Sequence, residues 1–271
     1  MNGIVIGLLA ETFVQVGVGQ SDDGVDLPVA RERATHYPLI PDSGIKGATR
    51  QKYETIDRAE AKTLFGQTDD SGSVSLSEGR LLLLPVRSMT GTYRWVTCPH
   101  LLERYQRDRK RILRTDREID RGQFTACQPG TALVQTAQQR LFLEEHVFAG
   151  QAAPALVERV AELVSPLIDD DDASSRLAKQ LAVISDDEMV WFCDRGLDVR
   201  PRNQLDERKR SRNLWYEEAL PPDTLLYSTA VPIRGDGLEK LKKMYRDDPY
   251  LRVGGNETLG HGWCRVVATS G

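Results

Sequence analysis

The chain is 271 residues long, 40% hydrophobic and 28% charged, with 36 Lys or Arg against 40 Asp or Glu and a formal net charge of −4. That balance describes a globular protein able to bury a sizeable core, and it excludes collagenous, coiled-coil and disordered classes. A net acidic chain does not coat nucleic acid indiscriminately, so any polyanion contact must be confined to one basic face.

Residues 4–10, IVIGLLA, predict a first core strand. The run is too short for a secretory signal and lacks a preceding positive region, and no apolar stretch approaches the roughly 20 residues of a membrane helix. A cytoplasmic location is expected. Residues 14–28 read as a loop rich in glycine and aspartate, from which Asp26, between Val25 and Leu27, projects as an isolated carboxylate on a short extended segment. Ser43 is placed to N-cap a helix running to about residue 56. The first turns of that helix carry Gly44, Lys46, Gly47 and Arg50. A glycine-rich turn that opens a helix and bears a cation offers N–H groups and positive charge to phosphate oxygens. The plainer reading of the same residues makes Asp26 a turn cap and Lys46 a solvated surface cation.

Residues 81–86 predict a buried strand and 95–98 a short extended piece. Residues 99–121 predict a charged helix whose eight Arg or Lys and five Asp or Glu read as a solvated face. A strand over 141–149 and a helix over 153–164 follow from their periodicities, and the aspartates at 169–172 suggest an exposed acidic loop spanning 169–175. Four consecutive aspartates lack the spaced ligands and turn glycine of a calcium loop.

Between 194 and 213 lie seven Arg or Lys and four acids, interleaved with apolar residues. This composition suits a projecting hairpin over 194–212, in which Arg200 and Arg202 can pair with phosphate or stack on a base. A charged surface loop is the other reading. A strand at 222–232, a helix at 237–246, a glycine-rich loop at 253–262 and a closing strand at 261–268 complete an α+β chain with an antiparallel sheet, read as a single domain over 1–271.

Cys98, Cys127, Cys193 and Cys264 form no CxxC pair and lie near no histidine at metal-ligand spacing, which points to buried thiols in a reducing compartment. GIKGAT is not a GxxxxGK[ST] phosphate loop, and GGNETLGHG lacks GxGxxG spacing. His261, inside the glycine loop, suits either an RNA contact or a structural role.

Four blocks carry a resemblance: DLPVARER with IPDSGIKGATR; FGQTDDSGSVSLSEGRLLLLPVRSMTGTYRWVTCP; NLWYEEALPPDTLLYS; and VGGNETLGHGWCRV. In order and spacing they resemble the backbone subunit of the type III-B CRISPR (Cmr) effector complex, of the RAMP superfamily. The resemblance runs over nearly the whole chain and is weakest between 101 and 190. It implies a ferredoxin-like (RRM-like) core with inserted loops, including a thumb-like β-hairpin that wedges into a guide–target duplex. It further implies binding of guide CRISPR RNA and metal-dependent cleavage of complementary target RNA at regular intervals. Partners would be further copies of the chain stacked head to tail and other subunits of the complex.

The family's cleavage aspartate falls at Asp26, with Mg²⁺ or another divalent cation weakly held there by one carboxylate, water and phosphate oxygens. Glu218 is a second candidate acid, with pairing to a neighbouring arginine as its alternative. Ser43, Gly44, Lys46 and Arg50 would hold the guide backbone, and Arg200, Arg202, Gly255, Asn256 and His261 further RNA. Relatives commonly carry histidine where this chain has Gln15. Two other functions stay open: a catalytically inactive structural filament subunit, and a nuclease that processes precursor repeat RNA.

Overall fold

IVIGLLA forms β1 (Ile4–Ala10), which is buried along its whole length because each face of the strand feeds a different core. Ile4, Ile6 and Leu8 enter one hydrophobic cluster, and Val5 and Leu9 the other. A strand covered on both faces reads as a continuous apolar run. The protein is described here by a computed structural model, which covers residues 3–17, 19–21, 24–67, 70–115 and 118–270.

After β1 come β2 (Leu39–Ile40), α1 (Asp42–Glu54), α2 (Arg58–Phe65), β3 (Val74–Leu76), β4 (Gly79–Arg87), β5 (Tyr93–Thr97) and α3 (Pro99–Leu113). The middle of the chain holds β6 (Thr131–Val134), β7 (Gln138–Leu143), β8 (His146–Ala152), α4 (Pro154–Val164), α5 (Asp171–Gln180), β9 (Leu181–Val183) and α6 (Asp186–Arg195). The last part contributes β10 (Asp198–Leu205), β11 (Ser211–Ala219), β12 (Leu225–Pro232), α7 (Gly237–Asp247), β13 (Tyr250–Arg252) and β14 (Trp263–Ser270).

Twelve of these strands form one sheet with the path β13-β14-β1-β12-β4-β5-β9-β6-β8-β7, while β2 pairs with β4 and β3 with β12. The pairs among β14, β1, β12 and β4 are all antiparallel. The parallel pairs, β5 with β9 and β6 with β8, lie in the other half of the sheet. Residues of α1, α2, α6 and α7 pack into the first cluster, and residues of α3, α4 and α5 into the second. The strands β10 and β11 stand apart as a two-stranded hairpin.

Several local expectations are corrected. Ser43 is not the N-cap: α1 starts at Asp42, and the Asp42 carboxylate accepts the Ser43 N–H at 2.8 Å. Residues 141–149 are not one strand, because Glu144 takes a left-handed turn that divides β7 from β8. The acidic run is not a loop over 169–175. Asp170 caps α5 by accepting the Ala173 N–H at 2.7 Å, and Asp171 and Asp172 occupy its first turn. There their charge meets the positive end of the helix dipole.

The helix expected over 99–121 stops at Leu113, where Arg114 turns left-handed; residues 116 and 117 of that span lie outside the described residues. Its charges are not all solvated. Asp108 is buried against Arg80 (2.5 Å) and the Tyr227 hydroxyl (2.9 Å), and Arg104 is buried against Glu32. The hairpin expected over 194–212 spans instead Asp198 to Ala219, since Asp194 and Arg195 still belong to α6. All four cysteines are free and buried, and burial raises each thiol, Cys127 and Cys264 to about 12. Thiols held so far from ionisation are inert.

Candidate functional site

Four segments meet at the base of the hairpin: residues 13–17, residues 24–31, the inner end of β11, and the glycine loop at 253–262. The second runs along the free edge of β11. The Leu27 N–H donates to the Tyr216 carbonyl (3.0 Å), and the Glu218 N–H donates to the Leu27 carbonyl (3.0 Å). Asp26 stands at the start of this added strip. Its side chain is exposed, and one oxygen, Oδ2, accepts the Tyr216 N–H at 2.7 Å. That bond holds the carboxylate against the hairpin while Oδ1 makes no hydrogen bond to a described residue.

Successive strand residues face opposite sides, so the adjacent glutamates of LWYEE serve different segments. Glu218 accepts both Arg31 terminal nitrogens at 2.7 Å and the Val29 N–H at 3.0 Å. Both carboxylate oxygens of this buried group are therefore occupied, and they fasten residues 29–31 to the hairpin. Its position is that of a structural anchor, the pairing with an arginine that the sequence reading set beside a second acid.

Glu217, on the other face, accepts from Arg202 (2.9 Å), the Trp215 indole (2.8 Å) and the Asn256 side-chain amide (2.7 Å). It joins β10, β11 and the glycine loop. Burial alone would raise its pKa, but the hydrogen bonds from Trp215, Arg202 and Asn256 outweigh that and hold it below the ordinary glutamate value. A group with a depressed folded pKa lends stability that is present above its unfolded value of about 4.5 and lost as pH falls through the lower folded value. Glu217→Gln is thus expected to be less stable than wild type by about 2 kcal/mol near neutrality, since charged hydrogen bonds are worth roughly 1.5–3 kcal/mol. Thermal unfolding over a pH series should show that gap closing below about 4.5; a gap constant with pH would refute the role.

The glycine loop is fixed by close backbone contacts. Gly255 donates to the Gln15 carbonyl (2.8 Å), and Gly262 to the Phe13 carbonyl (2.8 Å). A Cβ on Gly254 would lie 2.2 Å from the Gln15 carbonyl oxygen, so this position, with φ +90°, admits only glycine. Asn256 turns left-handed at φ 59° and points its side chain to Glu217. His261 is buried, its ring 6.0 Å from Phe13, and its Nδ1 has no hydrogen-bond partner among the described residues. Burial, with Arg202 and Arg200 nearby, keeps its pKa below the ordinary imidazole value.

Arg200 is turned inward, its guanidinium 3.3 Å from the Phe13 ring centroid and paired with Asp198. Arg202 is taken by Glu217. Arg208, Lys209 and Arg212, at and beside the hairpin tip, are exposed. In α1, Lys46 is exposed and joins no ion pair among the described residues, whereas Arg50 is paired with Glu54 (2.9 Å) and reaches the Gly66 carbonyl (3.3 Å). Ser43 is exposed, and a Cβ on Gly47 would meet nothing within 4 Å. The surface along this turn is open.

The structure therefore brings Asp26, Glu218, Arg200, Arg202, Gly255, Asn256 and His261 to one hairpin base through shared partners, while Ser43, Gly44, Lys46 and Arg50 lie together on α1. Sequence reasoning passed over Glu217, Arg31 and Phe13. The strand alternation within LWYEE was the available signal for Glu217, because one of two adjacent acids must face away from the other. Among the described residues no three His, Cys, Asp or Glu side chains group closely enough to hold a metal ion.

A family model described as the RAMP superfamily matches residues 8–265, and the chain belongs to that superfamily. Within it, the chain is 26% identical over 284 residues to the CRISPR system Cmr endoribonuclease Cmr4 of Pyrococcus furiosus, covering 98% of this chain and 96% of that protein. The fold superposes on the crystal structure of oligomeric Cmr4 from Pyrococcus furiosus with a TM-score of 0.77 at 26% identity, covering 99% and 98% of the two chains. It also matches a chain in the cryo-EM structure of the type III-B Cmr-beta complex bound to cognate target RNA, with a TM-score of 0.78 at 19% identity over 99% and 97%. No helix among the described residues is long and apolar enough to cross a membrane.

Proposed function

We propose that this chain is a guide-RNA-binding backbone subunit of a cytoplasmic type III-B CRISPR effector complex, and that within the assembly it cleaves guide-complementary target RNA in antiviral defence. The likeness to Cmr4 over the full length of both proteins supports the role in the complex. The observation that carries the nuclease reading is Asp26: an exposed carboxylate, oriented by the Tyr216 N–H, at the base of a projecting hairpin that bears cations at its tip.

In this reading the β14-β1-β12-β4 order, with α1 and α2 between β1 and β4 and α7 between β12 and β14, is the ferredoxin-like β-α-β-β-α-β core. The β10–β11 hairpin is an insertion that acts as the thumb. The open first turns of α1, with Ser43, Gly44 and Lys46, hold guide phosphates. Arg208, Lys209 and Arg212 meet RNA at the hairpin tip, while Arg200 and Arg202 reach it only by leaving Phe13 and Glu217.

Cleavage starts from the 2′-hydroxyl beside the scissile phosphate, the group that distinguishes RNA from DNA. Asp26 Oδ1 is the oxygen available to accept that proton or to hold a divalent cation, with water and phosphate completing the shell. When bound, the cation supplies charge neutralisation and a lowered hydroxyl pKa. Glu218 and Arg31 set where Asp26 stands without touching RNA. The inactive-filament reading draws on Gln15, whose amide cannot transfer a proton as an imidazole does.

The test assembles the chain with guide RNA and partner subunits and follows labelled complementary RNA with Mg²⁺ and with chelator. Regularly spaced cuts that vanish with chelator are expected. Target capture without cutting would establish the structural filament, and metal-independent cutting of precursor repeat RNA by the chain alone would establish a processing nuclease.

A further inference from the structure

On the outer strands of the sheet, β13 and β14 pair so that Tyr250 faces Arg265 and Arg252 faces Trp263. Strand alternation sends Leu251 and Cys264 into the core and leaves those four side chains together on the other face. They form a two-by-two lattice of cations and rings. The Arg252 guanidinium lies 5.1 Å from the Trp263 ring centroid, the Arg265 guanidinium 5.5 Å from that of Tyr250, and the two aromatic rings meet edge to face at 6.3 Å.

Trp263 remains 39% exposed, an uncommon state for the largest apolar side chain. Its backbone is held by Thr12, whose Oγ1 accepts the Trp263 N–H at 3.1 Å, and its carbonyl accepts the Glu11 N–H at 2.8 Å. The backbone that carries the ring is therefore fixed, and the ring itself packs against Arg252 and Tyr250. It borders a depression of about 260 Å³, walled on its other side by Gln51 and Lys52 of α1 and by Thr55 just after it. No hairpin residue lines it, and Lys52 is neutralised by Asp248.

We infer that this lattice is a stacking site for a single unpaired nucleobase of RNA, separate from the hairpin and from Asp26. The inference rests on the proposed RNA-binding function and adds a contact to it. The volume falls below the roughly 300–1,000 Å³ of a drug-sized ligand site, which suits one ring system in place of a longer ligand. Rings flanked by guanidinium planes match a flat π-ligand such as an unpaired base. Asp248, Glu257, Gln51 and Thr55 around the rim supply acceptors and donors for base edges. Acids offset Arg252, Arg265 and Lys52, so the contact depends on stacking and not on phosphate charge.

The test measures binding of labelled single-stranded oligoadenylate to the full chain by anisotropy over a salt series, together with tryptophan fluorescence. Trp263→Leu is expected to weaken binding roughly 5- to 100-fold, the range for one base–aromatic stack, by a similar factor at every salt concentration. Trp263→Phe, which keeps a π-face, should recover much of the affinity and remove the share of RNA-dependent quenching that comes from Trp263, leaving any from Trp215. Lys46→Ala combined with Arg212→Ala should instead shallow the salt slope. Wild-type binding that responds to Lys46 and Arg212 but not to Trp263 would overturn the stacking site alone. Burial of Trp263 that grows with protein concentration without RNA would assign the surface to a second copy of the chain and overturn it equally. No RNA binding by wild type would remove both this site and the RNA-binding function.

Discussion

Complexes carrying Asp26→Ala are expected to capture target RNA as wild type does and to lose cleavage by roughly 10²- to 10⁴-fold, the span attributed to a positioned proton-transfer group. Binding should survive because Asp26 contributes one exposed side chain, held by a single hydrogen bond from the Tyr216 N–H. Asp26→Asn refines the result. The amide oxygen still accepts that N–H, so the loop stays in place, while the negative charge needed for proton transfer or cation binding is gone. Equal loss in both variants locates the effect in the charge. Loss in the alanine variant alone assigns Asp26 to loop placement, and unimpaired cutting in both moves the chemistry to another residue.

Glu218→Ala is expected to cost roughly 3–5 kcal/mol of stability, the penalty for removing one member of a buried ion pair. The Arg31 guanidinium would be left without its two partner oxygens and the Val29 N–H without an acceptor. Urea unfolding of the isolated chain measures this as a lower midpoint at unchanged slope. The same experiment decides between anchor and acid. A Glu218→Gln variant that keeps its midpoint yet cannot cut RNA would make Glu218 part of the chemistry, whereas parallel loss of stability and activity makes it the support of the Asp26 loop.

The regular elements were legible where one physical signal dominated. The apolar run of β1 and the helical period of α4 stand where periodicity put them, and the closing strand β14 lies two residues later than expected. The hairpin was visible from its alternation of cations and apolar residues, but its inner limit was misplaced because α6 continues through Asp194 and Arg195 with no breaker before Gly196. The division between β7 and β8 was missed because Glu144 adopts a left-handed turn without being glycine or asparagine.

The candidate site was legible one residue at a time and not as a constellation. Local chemistry suggested Asp26 and Lys46 but favoured a turn cap and a surface cation, and the family resemblance was what singled them out. Glu217 was passed over, because its meaning comes from Arg202, Trp215 and Asn256, the last of them 39 residues away. The buried pairs of α3 were hidden for the same reason: Asp108 meets Arg80 and Tyr227 only after the strands assemble.

The adjacent Glu217 and Glu218 point to opposite sides of β11 and rivet it to two different loops. The hairpin is therefore a lever about 25 Å long, from eight residues at about 3.3 Å each, with its fulcrum at the glutamates. The strand that runs out to the hairpin tip thus holds the Asp26 strip on one side and the glycine loop on the other. The hairpin tip and the Asp26 carboxylate belong to one hydrogen-bonded element.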